Sequence, residues 1–247
     1  MQKDFFSNHS SLYAAFRPTY PEALYEFILK HVTKREKVWD CATGNGQVAR
    51  HLAAHFKEVF ATDLSQSQLD YAVRVSNISY DVCPAEKTFF NNNEFDLITV
   101  GQALHWFNIE LFYKEVKRVG KLNSILAIWG YERCSVNTEI DAVFSDFYTN
   151  IVGPFWDPSR KLIENEYRNI EFPFKELPTP KFEIKVAWTL EHYAGYLSSW
   201  SATQKYMKAN EVDPLPTLLE RLRPLWKSEA IQTVTFPVFL RMGKVLR

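Results

Sequence analysis

The sequence predicts an α/β fold with a Rossmann-like, doubly wound and mostly parallel sheet. Strand-like and helix-like segments alternate through the first half of the chain, and such alternation produces parallel strands joined by right-handed crossovers. A turn with two glycines joins the first strand to the next helix, as in nucleotide-binding folds. The segment 95–100 is a nearly continuous apolar run, which is typical of a strand covered by helices on both faces.

The predicted elements follow one another in a regular order. A lead-in helix with Pro21 in its first turn precedes five strands at 38–42, 59–64, 78–83, 95–100 and 125–129. The helices between them are predicted at 46–55, after the cap residue Ser65, and at 109–119. In the second half of the chain, the sequence predicts a loose helical stretch over 134–180 that is interrupted by prolines. Strands are predicted at 182–190 and 231–240, and helices at 193–200 and 216–226. Pro237 in the last strand indicates a sheet edge or a bulge.

The glycine turn and a downstream acid indicate a binding site for an adenosine-containing ligand. Gly44 and Gly46 allow the backbone to pass close under a ligand, and the turn opens onto a helix N-terminus with unpaired N–H groups. Asp63 ends the next strand, where a carboxylate can accept hydrogen bonds from both hydroxyls of a ribose. The third glycine of the dinucleotide pattern is Ala49 here, which weakens an assignment to NAD without excluding it.

Composition narrows the class of protein. The 247 residues can bury a large core, and 29 basic side chains balance 29 acidic ones, so no net charge attracts nucleic acid or an anionic membrane. Cys41, Cys83 and Cys134 are odd in number and widely spaced, which is typical of reduced thiols in a cytoplasmic protein. No segment has the length and apolarity of a signal peptide or a membrane span. No metal site is expected.

Several motifs resemble those of class I S-adenosylmethionine-dependent methyltransferases. The usual Asp/Glu-x-Gly-x-Gly-x-Gly motif corresponds to 40–46, and three later matches follow in the family's order at 61–65, 84–86 and 95–100. The segments 13–21 and 102–107 are similar to a small-molecule branch that includes trans-aconitate methyltransferase-like proteins. The family's first glycine is Ala42 in this chain, so we expect a shifted or slightly weaker cofactor pose.

The resemblance implies a complete architecture. It implies one methyltransferase domain over 1–247 with a sheet of seven strands, of which the last lies antiparallel next to the fifth. The cofactor-binding core and its helical lead-in would occupy 1–131, a helical lid 132–180, and the strands and helices that complete the sheet and lid 181–247. The cofactor would be S-adenosylmethionine, the product S-adenosylhomocysteine, and the partner a small-molecule substrate. The oligomeric state is not predicted.

The resemblance also assigns candidate cofactor contacts. Asp63 would bind the ribose, Leu64 and Ala85 would flank the adenine, and Glu86 would lie near its amino group. The methionine portion would lie against Gly44 and the carbonyls near Ala42 and Gln102, with Tyr13 and Arg17 folded over it. The Arg17 guanidinium would pair with the carboxylate of the cofactor. The remaining candidates belong to the glycine-turn motif: Asp40, Thr43, Asn45 and Gly46.

His105 follows the fourth predicted strand, close to where the transferred methyl group should lie. A histidine that titrates near neutrality could accept a proton from a hydroxyl or amine acceptor. A carboxylate acceptor needs no base, and His105 would then only orient it or pack against Trp106.

Three other functions remain open at this stage. A nucleic-acid methyltransferase is disfavoured by the charge balance and because 101–104 lacks the Asn/Asp-Pro-Pro-aromatic element of base-methylating relatives. A nucleotide-binding oxidoreductase would bind NAD. A catalytically silent module would keep the fold but not the chemistry, and Ala42 is the one feature that suggests it.

Overall fold

The computed structural model describes residues 16–227 and 230–246. The strands are β1 Lys37–Cys41, β2 Glu58–Asp63, β3 Ile78–Val82, β4 Phe95–Gly101, β5 Gly120–Tyr131, β6 Lys175–Leu177, β7 Phe182–Trp188 and β8 Gln232–Lys244. The α-helices are α1 Glu22–Lys30, α2 Gln47–Leu52, α3 Gln66–Asp70, α4 Ile109–Val119, α5 Thr138–Asp146, α6 Arg160–Glu164, α7 Leu190–Ser198, α8 Ser201–Asn210 and α9 Leu215–Trp226. Short 3₁₀ turns cover Leu104–Trp106 and Gly153–Phe155, and a π-helical turn covers Phe147–Ile151.

One mixed sheet organises the fold in the order β3-β2-β1-β4-β5-β8-β6, with β7 also paired to β8. Strands β1 to β5 are parallel, and β8 runs antiparallel beside β5. The Rossmann-like fold class and the antiparallel last strand are therefore confirmed. The chain order reverses between β1 and β4, and ligands of such sheets bind beyond the carboxyl ends of the strands at that point.

Helices cover both faces of the sheet. Side chains of a strand alternate between the two faces, and consecutive residues of β1 accordingly enter different cores: Val38 packs with α1 and α2, whereas Trp39 packs with α4. Every residue of β4 before Gly101 is buried, as the apolar run predicted.

The sheet has eight strands, one more than predicted. β6 and β7 pair with β8 on the same side, β6 opposite 242–244 and β7 opposite 232–238. Pro178 and Pro180 lie between them, and proline cannot donate the backbone hydrogen bond that a ladder requires. The two short strands are therefore one interrupted strand. The additional strand is β6, which lies within the range 132–180 that was predicted as a lid. It was not predicted because three residues are too few to show the alternation of a strand.

Several boundaries of the second half differ from the sequence prediction. β7 ends at Trp188 rather than 190, because the Thr189 hydroxyl caps α7 by accepting a hydrogen bond from the His192 N–H (3.2 Å). β8 continues to Lys244 between β5 on one side and β6 and β7 on the other, and its pairing with β7 shows no bulge. The β5 pairing ends at Val238, so Pro237 lies just beyond it, at a local edge of the β5 ladder as the sequence suggested. Helix α8 was not predicted.

The lid residues and the C-terminal helices form one packed layer. Helix α9 packs on α5 and α7, and their apolar side chains continue the core that lies under α1 and α2. All three cysteines are buried and unbridged, in agreement with the burial predicted for Cys41 and Cys83. Within 16–227 and 230–246, no helix has both the length and the apolarity needed to cross a bilayer.

Candidate active site

The glycine turn between β1 and α2 adopts three left-handed backbone conformations. The φ angles are +58° at Gly44, +79° at Gly46 and +54° at Ala42. A Cβ at Gly46 would collide with the Tyr80 side chain, so this position excludes larger residues. From the sequence, the extra methyl group of Ala42 was expected to shift or slightly weaken the cofactor pose, and a positive φ at this position was the outcome harder to reconcile with the site. The structure shows that positive φ, which costs a non-glycine residue about 1–2 kcal/mol.

Asp63 lies beside this turn because β2 is the parallel neighbour of β1. Its Oδ2 accepts a hydrogen bond from the Gly44 N–H (2.8 Å), and its Oδ1 accepts one from the Ser65 N–H (2.9 Å). Each carboxylate oxygen can accept a second hydrogen bond. The two backbone donors thus hold the acid in one orientation at the end of β2.

Asp40 is a buried acid under the turn. Its carboxylate accepts hydrogen bonds from the hydroxyls of Thr43 (2.5 Å) and Thr99 (2.8 Å), and the residue is 1% exposed. Burial raises the pKa of Asp40 from 3.8 to about 6, against the opposing effect of the two hydroxyls. At neutral pH the site therefore contains a desolvated negative charge.

A cleft that is partly open to solvent lies at the carboxyl ends of β1, β4 and β5. It brings together six of the predicted site residues: Arg17, Asp40, Ala42, Thr43, Gly44 and Asn45. Tyr20, Gln47, Gly101 and Tyr131 also line it. Its position matches the place where doubly wound sheets bind ligands.

Arg17 links the lead-in segment to the lid across this cleft. One guanidinium nitrogen donates to the Tyr131 hydroxyl (2.7 Å) and another to the Ser199 carbonyl (3.3 Å), while the group lies over the Tyr196 ring. A cation is thereby fixed at the edge of the cleft. Tyr13, predicted to lie beside it, falls outside the described residues.

The predicted adenine contacts lie around the neighbouring strand ends rather than in this cleft. Leu64 follows β2 and is 41% exposed, so its side chain is accessible to a flat ring at this strand end. Ala85 is buried after β3, and the Glu86 carboxylate accepts a hydrogen bond from the Asn108 N–H (2.8 Å). The Gln102 side chain instead pairs with both backbone groups of Tyr131, which ties the β4 end to β5.

His105 lies in the 3₁₀ turn after β4 and is buried. Its Nδ1 is 3.0 Å from the Tyr167 hydroxyl, and its ring packs on Trp106. Burial, with a smaller contribution from the positive charge of Arg160, lowers the pKa of His105 to about 3. The imidazole is therefore neutral at physiological pH, in contrast to the titration near neutrality considered from the sequence.

The lid residues nearest His105 form an aromatic and cationic cluster. Helix α6, which begins at Arg160, packs against the 3₁₀ turn of His105. The Arg160 guanidinium lies 4.1 Å from the centre of the Trp156 ring and donates to the Tyr148 hydroxyl (2.8 Å). Tyr148 in turn donates to the Glu164 carboxylate (2.7 Å). The cluster fixes the positive charge of Arg160 against two aromatic rings, with the Glu164 carboxylate bound to the Tyr148 hydroxyl.

Sequence reasoning missed four residues of this region. Tyr20 and Tyr131 line the cleft, Thr99 holds Asp40, and Tyr167 holds His105. Thr99 could have been found as the hydroxyl in an apolar strand, and Tyr131 as the residue at the carboxyl end of β5. Tyr167 is 62 positions from its partner, and no local pattern indicates that contact.

The strand order, the glycine turn and the acid at the end of β2 define a Rossmann-like protein that binds an adenosyl ligand. Residues 39–128 match the methyltransferase-domain family. A Dictyostelium discoideum protein described as a methyltransferase is 34% identical over 98% of this chain and 95% of its own length. The chain belongs to the S-adenosylmethionine-dependent methyltransferases of class I, and this membership replaces the oxidoreductase alternative.

Solved structures agree with that membership. A structure from Anaeromyxobacter dehalogenans, described as a type II methyltransferase, is 35% identical with a TM-score of 0.87, covering 94% of this chain and 99% of its own. A phosphoethanolamine N-methyltransferase 2 of Haemonchus contortus, solved with phosphomonomethylethanolamine and S-adenosylhomocysteine, is 15% identical with a TM-score of 0.52. That match covers 100% of this chain and 60% of the other and shows the fold alone. The likeness to the trans-aconitate branch stays a prediction.

Proposed function

We propose that the protein transfers the methyl group of S-adenosylmethionine to a small molecule that carries a carboxylate, by in-line displacement. A carboxylate oxygen would attack the methyl carbon while the carbon–sulfur bond breaks and its electron pair stays on sulfur. The products are a methyl ester and S-adenosylhomocysteine, and no proton is transferred. The protein then has to align the three atoms and keep water out.

The state of His105 is the observation that carries this proposal. A general base works best when its pKa lies near the operating pH, and the pKa of His105 is lowered to about 3. Such an imidazole is too weak to remove a proton from a hydroxyl or an ammonium group at neutral pH. It can still form a hydrogen bond from a fixed position, since the Tyr167 hydroxyl holds its Nδ1.

Arg160 supports an acidic acceptor. Its charge is close enough to contribute to the lowered pKa of His105, and a guanidinium pairs with a carboxylate through two parallel N–H bonds. The rings of Tyr148 and Trp156 lie against it, and the Tyr148 hydroxyl holds its Nε, so the guanidinium has a fixed orientation. The balance of 29 basic and 29 acidic residues supports a small molecule over a nucleic acid.

We assign the adenosyl half of the cofactor to the ends of β2 and β3. The hydrogen bonds that orient Asp63 support its role with the ribose hydroxyls. The exposed side chain of Leu64 and the buried Ala85 support a slot for the adenine ring, with Glu86 at its edge.

We assign the methionine half to the cleft. Gly44 and the backbone near Ala42 and Gln102 would contact the chain that leads to the sulfonium. Arg17 would bind the carboxylate, and its hydrogen bonds to Tyr131 and Ser199 support that orientation. Asp40 would offset the positive charges of the ligand, with Thr43, Asn45 and Gly46 shaping the turn. Tyr13 keeps its proposed role over the cofactor.

The test uses S-adenosylmethionine labelled with tritium in the methyl group and a panel of cell metabolites. Methyl esters release labelled methanol on mild alkaline treatment, whereas methyl ethers and methylamines do not, so the treatment identifies the acceptor atom. We expect the labelled product to release methanol in base, as a methyl ester does. Base-stable product would refute the carboxylate assignment, and cofactor binding without any product would favour the silent module.

Arg160→Gln supplies the matched test of the acceptor site. We expect it to raise the KM for the acceptor about tenfold, the effect of losing roughly 1.4 kcal/mol of binding, with unchanged affinity for the cofactor. The control is Arg168→Gln, because Arg168 is an exposed arginine of the same segment paired with Glu166. Equal KM values for the two variants would remove Arg160 from the acceptor site.

A further inference from the structure

We propose that Glu22, His51 and His55 form a binding site for a divalent transition-metal ion, with Zn²⁺ the best fit. The site lies outside the cofactor cleft and does not depend on the acceptor proposed above. Glu22 belongs to α1, His51 to α2, and His55 to the turn that follows α2.

The geometry of the cluster suits a metal ion. Glu22 is the first residue of α1, His51 lies in the last turn of α2, and His55 follows four positions later. One ligand atom from each residue lies within 4.8 Å of the other two. The Glu22 Oε1 and His51 Nε2 atoms are 3.5 Å apart, close to the spacing of about 3.4 Å that two ligands at about 2.1 Å from a tetrahedral zinc would have.

The state of His51 favours an ion over a simple salt bridge. Among the described residues its buried Nε2 has no hydrogen-bond partner, although it faces the Glu22 carboxylate at 3.5 Å. An imidazole nitrogen that is shielded from water and makes no hydrogen bond can offer its lone pair to a metal ion.

The orientation of His51 is fixed before any ion binds. Its ring stacks on Tyr25 of α1 with 3.7 Å between the ring centres, and the ring of His55 lies 5.4 Å away. A ligand held in place by its neighbours loses little freedom on binding a metal. Tyr25 thus fixes the orientation of the His51 ring, which is the role of a hydrogen-bonding partner in many metal sites.

The donor set selects the metal. Two imidazoles and one carboxylate suit Zn²⁺ and its neighbours in the transition series, whereas Ca²⁺ and Mg²⁺ prefer sites made of oxygen atoms. Three protein ligands leave one position for water. A bound ion would link α1 to α2 and so fix the lead-in segment, which supplies Arg17 and Tyr20 to the cleft.

Metal binding is measured on the untagged full-length protein by competition between the protein and a chromogenic zinc chelator. We expect one Zn²⁺ per chain and a rise in melting temperature on binding. Glu22→Gln and His55→Gln should each raise the Kd for Zn²⁺ about tenfold or more and abolish that rise. His51 is left unchanged because its ring packs on the core residue Tyr25.

The control is His31→Gln, in which a histidine at the end of α1 whose Nδ1 lies near the Phe27 carbonyl is replaced. It should bind Zn²⁺ like the wild type. Co²⁺ adds an independent readout, since its visible absorption reports the ligands. Visible bands that disappear in His55→Gln would support the site. Equal Zn²⁺ affinity of wild type and His55→Gln, absence of binding, or a thiolate-to-cobalt charge-transfer band would each overturn the proposal.

Discussion

Replacing Asp40 by asparagine should stabilise the protein at neutral pH, although the substitution lies in the cofactor cleft. The carboxylate is buried and accepts hydrogen bonds from the hydroxyls of Thr43 and Thr99 and from the Ala49 N–H. Threonine hydroxyls donate or accept as needed, and the carbonyl oxygen of an asparagine can still accept from a backbone N–H. The substitution therefore removes a desolvated charge and leaves partners for these hydrogen-bonding groups.

The magnitude follows from the pKa of Asp40, which burial raises from 3.8 to about 6. One unit of pKa shift corresponds to about 1.4 kcal/mol, so the difference in free energy of unfolding amounts to ~3 kcal/mol. Because the folded-state pKa is the higher one, the native protein binds the proton more tightly than the unfolded chain. The contribution to stability is complete below pH 4 and is lost as the pH rises through 6.

The assay is urea denaturation of wild type and Asp40→Asn at each pH from 4 to 8, with Asp81→Asn as the control at a half-exposed aspartate of β3. We expect the free energy of unfolding of Asp40→Asn to exceed that of wild type by up to ~3 kcal/mol above pH 6, with the gap closing toward pH 4. Cofactor affinity should fall, because the ligand is cationic at its sulfonium. A difference that does not change with pH would refute the reasoning.

Three further predictions concern the same site. Asp63→Ala should abolish the thermal stabilisation by S-adenosylmethionine while the fold stays intact, and the exposed Glu58→Ala on the same strand should keep it. Ala42→Gly should raise the free energy of unfolding by about 1 kcal/mol, the relief of a left-handed alanine; an unchanged or lower value in urea denaturation would contradict that strain. Tyr167→Phe should lower kcat more than cofactor affinity. The control is Tyr113→Phe, because the buried Tyr113 hydroxyl has no partner among the described residues. It should leave kcat unchanged, and equal kcat values for the two variants would contradict the role of Tyr167.

The parts of the fold that sequence could predict are those encoded by local patterns. The apolar run of β4, the glycine turn and the acid after β2 each depend on a few consecutive residues, and the periodicity of strands and helices places them in a parallel sheet. The cleft follows from that sheet, because its position is set by strand order. For this reason six predicted site residues lie together in it.

The features that sequence could not predict depend on contacts between distant segments. The left-handed φ of Ala42 is a property of the folded turn and not of alanine. His51 and His55 show a spacing of four, but Glu22 joins them from another helix. The short strand β6 is visible only through its pairing with β8.

The end of the lid shows how such contacts determine the chemistry at His105. Glu166 and Tyr167 are consecutive non-glycine residues with φ of +53° and +55°, a conformation that costs about 1–2 kcal/mol at each residue. Arg241 of β8 offsets this cost, since one of its nitrogens donates to the Tyr167 carbonyl (2.6 Å) and the Ile170 carbonyl (2.9 Å). Strained backbone persists where the surroundings fix it, often at functional sites. The sheet itself thus holds the Tyr167 hydroxyl against His105, so the orientation of that imidazole depends on β8 as well as on the lid.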